Sequence, residues 1–267
     1  MSNINNKIII VTGGLGLLGL SLVEKLAKDG AKVVILDLKN SKFLYKIKNY
    51  NLIKKKVFYF YCDVSEKKDL EKIQKKIISK FKKIDVLINA AALNDAVEKN
   101  PDPKSSMFEN YSLADWNKSI KINLTSIFLS SQVFGIKMVK QKYGSIINIA
   151  STYGMVAPDQ SIYINKKSKQ TFYKNPSYPS TKGAVISFTK YLASYWGKKN
   201  VRVNCISPGG IHNKQNKNFV KNYSSKTLLK RMAKPHEIYG AVKLLCSNES
   251  SYITGSNIVV DGGWTAI

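Results

Sequence analysis

The run Lys7-Ile-Ile-Ile-Val11, continued as Thr12-Gly13-Gly14-Leu15-Gly16-Leu17-Leu18-Gly19, decides the fold. Successive β-branched apolar residues with no polar alternation predict a strand buried on both faces, as in a parallel sheet. The glycines after it permit a tight turn and let a ligand approach the backbone. Leu17 to Lys28 then reads as an amphipathic helix whose first N–H groups and positive dipole end face that turn. A strand, a glycine turn and a helix in this order open a dinucleotide-binding unit. In it Gly13, Gly16, Leu17, Leu18 and Gly19 bring the backbone to a pyrophosphate. The next apolar run, Val33-Val34-Ile35-Leu36, ends in Asp37. A carboxylate there accepts hydrogen bonds from ribose hydroxyls and repels a 2′-phosphate, which predicts NAD, with NADP less favoured; nearby Lys39 softens that repulsion.

Outward from this turn, short apolar runs alternate with amphipathic stretches to the end of the chain. Strands are expected at Lys7 to Val11, Lys32 to Leu36, Val57 to Tyr61, Ile84 to Ile88, Ser145 to Ile149, Val201 to Ile206 and Asn257 to Val260. Helices are expected at Leu17 to Lys28, Lys67 to Phe81, Leu113 to Lys140, Thr181 to Trp196 and Pro235 to Cys246. The pattern predicts an α/β fold, doubly wound, with a seven-stranded parallel sheet covered by helices on both faces. Without a linker or repeat, the 267 residues form a single Rossmann-type domain. Two polar stretches break the alternation, Asn94 to Tyr111 and Pro158 to Pro176. Each comes after a strand, so both emerge at the carboxyl edge of the sheet, where such folds bind ligands. They are candidate lids.

Composition narrows the function classes. Hydrophobic residues make up 44% of the chain and aromatics 10%, a globular balance rather than a disordered one. No run of about twenty apolar residues predicts a membrane span, and the N-terminus carries no secretory pattern, so a cytoplasmic protein is expected. Cys62, Cys205 and Cys246 are isolated from one another, which predicts buried thiols rather than disulfides or a metal site. The formal charge of +26 invites a nucleic-acid reading. Against it, only Arg202 and Arg231 among 43 basic residues are arginine, and the lysines are spread along the whole chain. The charge reads as compositional bias, and neither nucleic acid nor membrane is an expected partner.

Further strand ends carry Cys62-Asp63-Val64, Asn89-Ala90-Ala91, Ser151 and Pro208-Gly209 with Ile211. Together with the glycine turn, Asn123, Tyr178-Pro-Ser-Thr-Lys182, Val201-Arg-Val-Asn204, Thr254-Gly255 and Asp261-Gly262-Gly263, they resemble the short-chain dehydrogenase/reductase family over essentially the whole chain. The resemblance implies an NAD(P)-dependent oxidoreductase acting on CH–OH, with Asn123, Ser151, Tyr178 and Lys182 catalytic. It places Asp63, Val64, Asn89, Ala90, Ala91, Pro208, Gly209 and Ile211 with the cofactor, and Tyr178 and Lys182 on its nicotinamide ribose. A phenol ionises near pH 10, and an ammonium one helical turn away is expected to lower that value. Tyr178 is then general acid in reduction and base in oxidation. Ser151 is expected to hydrogen-bond the reacting oxygen, and Asn123 to position a water that relays protons through Lys182.

Tyr163-Ile-Asn-Lys-Lys167 has the same spacing of four and lies closer to Ser151. The downstream sequence selects Tyr178: an amphipathic run extends from it to Trp196 and leads into the strand from Val201. Roughly fifteen residues before Tyr178, within about 158–177, therefore read as an inserted substrate loop. Gly16 stands where most single-domain relatives have their glycine one residue later, at the position of Leu17. That spacing resembles a branch with larger substrate domains. The insertion from Tyr153 and the Pro208-Gly-Gly-Ile211 turn resemble reductases of bacterial surface-sugar pathways, such as those to legionaminic acid and flagellin glycans. The polar loops Asn94 to Tyr111, Ser151 to Pro176 and Gly209 to Tyr223 predict a small polar, sugar-derived substrate interconverted between secondary alcohol and ketone. A 3-oxoacyl thioester reductase and a non-catalytic NAD-binding sensor are the alternatives. Apolar residues around Leu113 to Lys140 and Thr181 to Trp196 predict a homodimer or homotetramer.

Overall fold

Alternate residues of the first strand face opposite ways, and each face meets its own set of helices. In the computed structural model, which describes residues 3–39, 41–94 and 103–266, the strands are β1 (Ile8–Thr12), β2 (Lys32–Asp37), β3 (Val57–Tyr61), β4 (Val86–Asn89), β5 (Gly144–Ile149), β6 (Val201–Pro208) and β7 (Asn257–Val260). All pair in parallel, in the order β3-β2-β1-β4-β5-β6-β7. The helices are α1 (Leu17–Lys28), α2 (Tyr50–Ile53), α3 (Lys67–Phe81), α4 (Leu113–Ile120), α5 (Ser126–Gln141), α6 (Ser177–Trp196), α7 (Lys217–Ser225) and α8 (Tyr239–Cys246). Ile9 and Val11 pack with α1 and α8, while Ile8 and Ile10 pack with α3, α5 and α6. Every one of these four side chains is buried, so truncating Ile10 to alanine costs about 2–5 kcal/mol.

The departures from the expected elements have local causes. β4 starts at Val86 because the Asp85 carboxylate accepts the Ile8 N–H at 2.7 Å, a side-chain bond where the ladder would begin. The expected single helix Leu113 to Lys140 is interrupted by a π-helical turn at Lys121–Thr125, which carries Asn123; such turns concentrate at functional positions. α6 starts at Ser177, earlier than expected, which brings Tyr178 inside its first turn. Pro235–Ile238 is a 3-10 turn ahead of α8. α7 is an additional element, its run of Lys, Asn and Ser having little apolar period; the Asn216 side chain caps it by accepting the Phe219 N–H at 2.8 Å.

Among the described residues the run Leu113–Gln141 is long and apolar enough to cross a membrane by length and composition alone, and half of its apolar window is buried within the fold, as in a core helix. Gly135 lets α5 close on α6: a Cβ there would lie 2.5 Å from the Trp196 ring. The strand order reverses between β1 and β4, and the crevice at their carboxyl ends is where the fold accommodates a ligand.

Candidate active site

At the carboxyl end of β1 the chain turns through Gly13, whose φ of +64° belongs to the left-handed region. A Cβ on Gly13 would stand 2.7 Å from the Ala91 Cα, so the glycine turn and the end of β4 are packed backbone to backbone. Thr12 ties them further, its Oγ1 accepting the N–H groups of Ala90 at 3.1 Å and Ala91 at 3.2 Å. Gly16 occupies the cap position of α1, with no side-chain cap and no acidic residue in the first turn. The free N–H groups of that turn and the helix dipole are thus left to an anion.

These residues open a cavity of 290 Å³ lined by Gly13, Gly16, Leu17, Leu18 and Gly19, by Asp37, and by Asp63, Val64, Ala90 and Ala91. Further wall residues that the sequence reading missed include Leu38, Ile122 and Ser126; the last two come from the π-helical turn and the start of α5, elements that no glycine or charge pattern marks. The Asp37 carboxylate accepts the Leu15 N–H at 2.8 Å and the Lys39 N–H at 2.9 Å, holding the turn in shape. Lys39 leans the same way, its Nζ donating to the Leu15 carbonyl at 3.1 Å. The cradle fits the adenosine and pyrophosphate of a dinucleotide.

Asn89 takes a different place from the one expected. It is buried, with its side chain donating to Asn148 Oδ1 at 2.8 Å and accepting from Ser130 at 2.7 Å, so it braces the sheet beneath the cavity rather than lining it. Asp63 accepts from Ser65 N at 2.9 Å and lines the cavity from the turn ahead of α3. Pro208, Gly209 and Ile211 also lie outside the cavity walls. Gly209 abuts Asp261, where a Cβ would fall 2.8 Å from the Asp261 Cα, and Ile211 bridges to Ala233.

Further along the sheet edge, Ser151 leaves β5 and its side chain lies beside Tyr178 of α6, where it favours the phenolate. Gly154 makes this approach possible, since a Cβ there would lie 2.7 Å from the Lys182 backbone. Lys182 is buried and donates from Nζ to the Ile149 carbonyl at 2.7 Å. Burial pulls its ammonium down to about 8. Burial pushes the Tyr178 phenol above its ordinary value of 10.0, and the neighbouring Ser151 hydroxyl opposes that rise. The expected lowering of the phenol by Lys182 is not seen: Nζ sits 5.7 Å from the ring centroid, turned toward the Ile149 carbonyl. Asn123 also departs from its expected use. Its side chain accepts the Leu93 N–H at 2.7 Å and donates to the Leu93 carbonyl at 2.9 Å and to Ser119 at 3.2 Å, so that amide latches the chain leaving β4.

Tyr163 lies elsewhere. It ends the 3-10 turn Gln160–Tyr163, buried among Phe172, Phe219 and Tyr153, while Lys167 is exposed in the next turn of the chain. No helix joins them, so their spacing of four places nothing on a common face. The inserted loop is a packed element: Ile164 pairs with Gln170, and Asn218 and Asn222 of α7 donate to the Ile164 carbonyl at 2.6 Å and 2.9 Å. Its end is tied to the other polar segment, Tyr173 N donating to Ser106 Oγ at 2.9 Å. Residues 95–102 of that segment lie outside the described residues.

A family model described as enoyl-(acyl carrier protein) reductase matches residues 17–265. An NAD-dependent glycerol dehydrogenase of Listeria innocua is 30% identical, the match covering 98% of this chain and 95% of that protein. A 3-oxoacyl-(acyl-carrier-protein) reductase of Thermotoga maritima is 27% identical, over 97% of this chain and 98% of that one. A crystal structure of a short-chain dehydrogenase from Leptospira borgpetersenii with bound NAD+ superposes with a TM-score of 0.84 at 34% identity, covering 98% of this chain and 93% of that one.

Proposed function

The chain belongs to the short-chain dehydrogenase/reductase family, oxidoreductases acting on CH–OH with a nicotinamide cofactor, and we propose that it interconverts a secondary alcohol and a ketone on a small polar, sugar-derived substrate using NAD(H). The observation that carries this reading is the meeting of Ser151 with Tyr178 at the sheet edge, with Lys182 buried one turn further along α6. The cofactor, held by the glycine turn and α1, supplies or accepts hydride at the carbonyl carbon. In reduction the Tyr178 hydroxyl gives its proton to the carbonyl oxygen while Ser151 donates a hydrogen bond to the same oxygen, where negative charge develops. Lys182 is charged below about pH 8 and loses that charge above it, so it can hold the proton that restores the phenol at neutral pH. In oxidation the same groups act in reverse.

Asp37 supports NAD over NADP, since its carboxylate is fixed beside the Gly13 to Gly16 turn. Asp37→Ala is expected to shift the ratio of kcat/KM for NAD to that for NADP about tenfold toward NADP, the change that about 1.4 kcal/mol of charge repulsion gives. An unchanged ratio in steady-state assays would mean that the carboxylate only ties the turn. Exposed Phe128 and Ile136 on α5, and Tyr191 and Tyr195 on α6, form an apolar outer face. The stacking of Phe188, Tyr191 and Tyr195 extends along it, which supports a homodimer or homotetramer. A cytoplasmic setting accords with the three buried, unpaired cysteines.

A 3-oxoacyl thioester reductase is the second reading, favoured by the Thermotoga maritima relative. A panel of sugar phosphates and nucleotide sugars against 3-oxoacyl thioesters, followed by NADH absorbance, separates the two. Turnover of the sugar-derived carbonyls is expected; turnover of thioesters alone would overturn the sugar reading.

A further inference from the structure

Among the described residues, the cation nearest the face of the Tyr178 ring comes from the inserted loop. Lys174 is buried at 7% exposure, and its Nζ lies 4.4 Å from the ring centroid, nearer than Lys182 at 5.7 Å. It is held there from three sides. Nζ donates to Asn94 Oδ1 at 2.5 Å, on the chain leaving β4. Its backbone N–H donates to Gln160 Oε1 at 2.8 Å, and Gln160 Nε2 donates back to the Lys174 carbonyl at 3.3 Å. Asn175, the next residue, accepts the Tyr178 N–H at 3.0 Å, fixing the loop against the first turn of α6. A long, costly-to-order side chain is thus buried and aimed at the residue read above as the acid and base.

We propose that Lys174 is a positioning residue for proton transfer, its ammonium stabilising the phenolate of Tyr178 through the ring face and so making the inserted loop part of the acid–base apparatus. An ammonium over an aromatic face is attracted by the ring's negative π density. Loss of the hydroxyl proton spreads a full negative charge over oxygen and ring, so the attraction is greater for phenolate than for phenol. That difference is what moves an ionisation equilibrium. Among the described residues, the other groups facing Tyr178 act on it differently. Ser151 offers a neutral hydroxyl, Tyr153 and Tyr223 are phenols whose ionisation burial opposes, and Lys182 on the same helix is engaged with the Ile149 carbonyl. Lys174 therefore adds a second cation to Lys182 at the Tyr178 ring.

The inference rests on Tyr178 being the acid–base residue, yet its test does not depend on turnover. The full chain in complex with NAD+ is labelled at the tyrosine ring carbon that bears oxygen and titrated by NMR, with the Tyr178 signal assigned by its loss in Tyr178→Phe. Lys174→Met, close in shape and uncharged, is expected to raise the Tyr178 midpoint by about one unit, and Lys174→Arg to restore most of it. Lys174→Gln serves as a second neutral variant if methionine impairs folding. Coincident midpoints in wild type and the neutral variants would overturn the inference, as would a wild-type Tyr178 showing no ionisation up to about pH 11. A Tyr178→Phe protein that keeps its turnover would instead overturn the proposed function, whatever the titration reads.

Discussion

Tyr178→Phe is expected to lower kcat by about a thousandfold, the usual scale of a lost general acid, while NAD+ still binds. The exchange removes one oxygen and leaves the ring where Lys174 and Lys182 lie against it. Substrate and cofactor meet the same walls, and only the proton has no carrier. Tyr163→Phe is the matched control, with the same atom deleted at the competing Tyr-Lys spacing. It deletes a buried phenolic oxygen inside an aromatic cluster, which costs about 1 kcal/mol of stability and leaves kcat within a few-fold of wild type. Single-turnover kinetics and thermal melts on the two variants measure both effects. A silent Tyr178→Phe with an inactive Tyr163→Phe would reverse the assignment of the catalytic tyrosine.

Gly19→Ala is expected to weaken NAD+ binding by about a hundredfold, roughly 2.7 kcal/mol, or to abolish it. The added Cβ would stand 2.2 Å from the Gly13 carbonyl oxygen and 2.7 Å from the Gly14 Cα. Both are backbone atoms and cannot swing aside, so α1 must move off the glycine turn and carry its N–H groups away from the pyrophosphate position. Gly16→Ala is the contrast: its φ of −77° suits any residue, and the only close neighbour of a Cβ there is the Gly13 carbonyl at 3.2 Å. Less than a tenfold loss is expected for it. Isothermal titration calorimetry with NAD+ checks the pair, and a folded Gly19→Ala chain that binds as tightly as wild type would refute the cradle described for the cofactor.

The fold was legible because its signals are local and repeated. Continuous apolar runs marked the seven strands to within about two residues, α1 and α3 ended where their apolar period ended, and the glycine turn joined β1 to α1 as its composition required. The site was legible in its membership more than in its hydrogen bonding. Spacing of four brought Tyr178 and Lys182 to one face because a helix spans both; the same spacing at Tyr163 and Lys167 fell in a 3-10 turn and the separate turn after it.

What sequence could not show is where a polar side chain turns once buried. Asn123, Asn89 and Lys182 each satisfy a backbone or side-chain partner inside the fold, because an unpaired polar group there costs more than the reach it would offer a ligand. Lys174 was hidden in a loop whose lysines match the chain's lysine-rich background. Only its burial and the hydrogen bond to Asn94, far away in sequence, set it apart. The inserted loop also read as a polar lid, whereas Ile162, Tyr163 and Phe172 give it a small core of its own with Tyr223 and Trp264.

Hydride transfer itself is the most direct test of the account. NADH carrying deuterium at C4 of the nicotinamide, incubated with the sugar-derived carbonyl panel and the wild-type chain, is predicted to deliver deuterium to the carbinol carbon of at least one product, read by mass spectrometry. Tyr178→Phe should deliver about a thousandth as much in the same time. NADH that binds and stays intact across the whole panel of sugar-derived carbonyls and thioesters, together with strongly salt-dependent DNA binding, would contradict the account and point to a sensor instead of an enzyme.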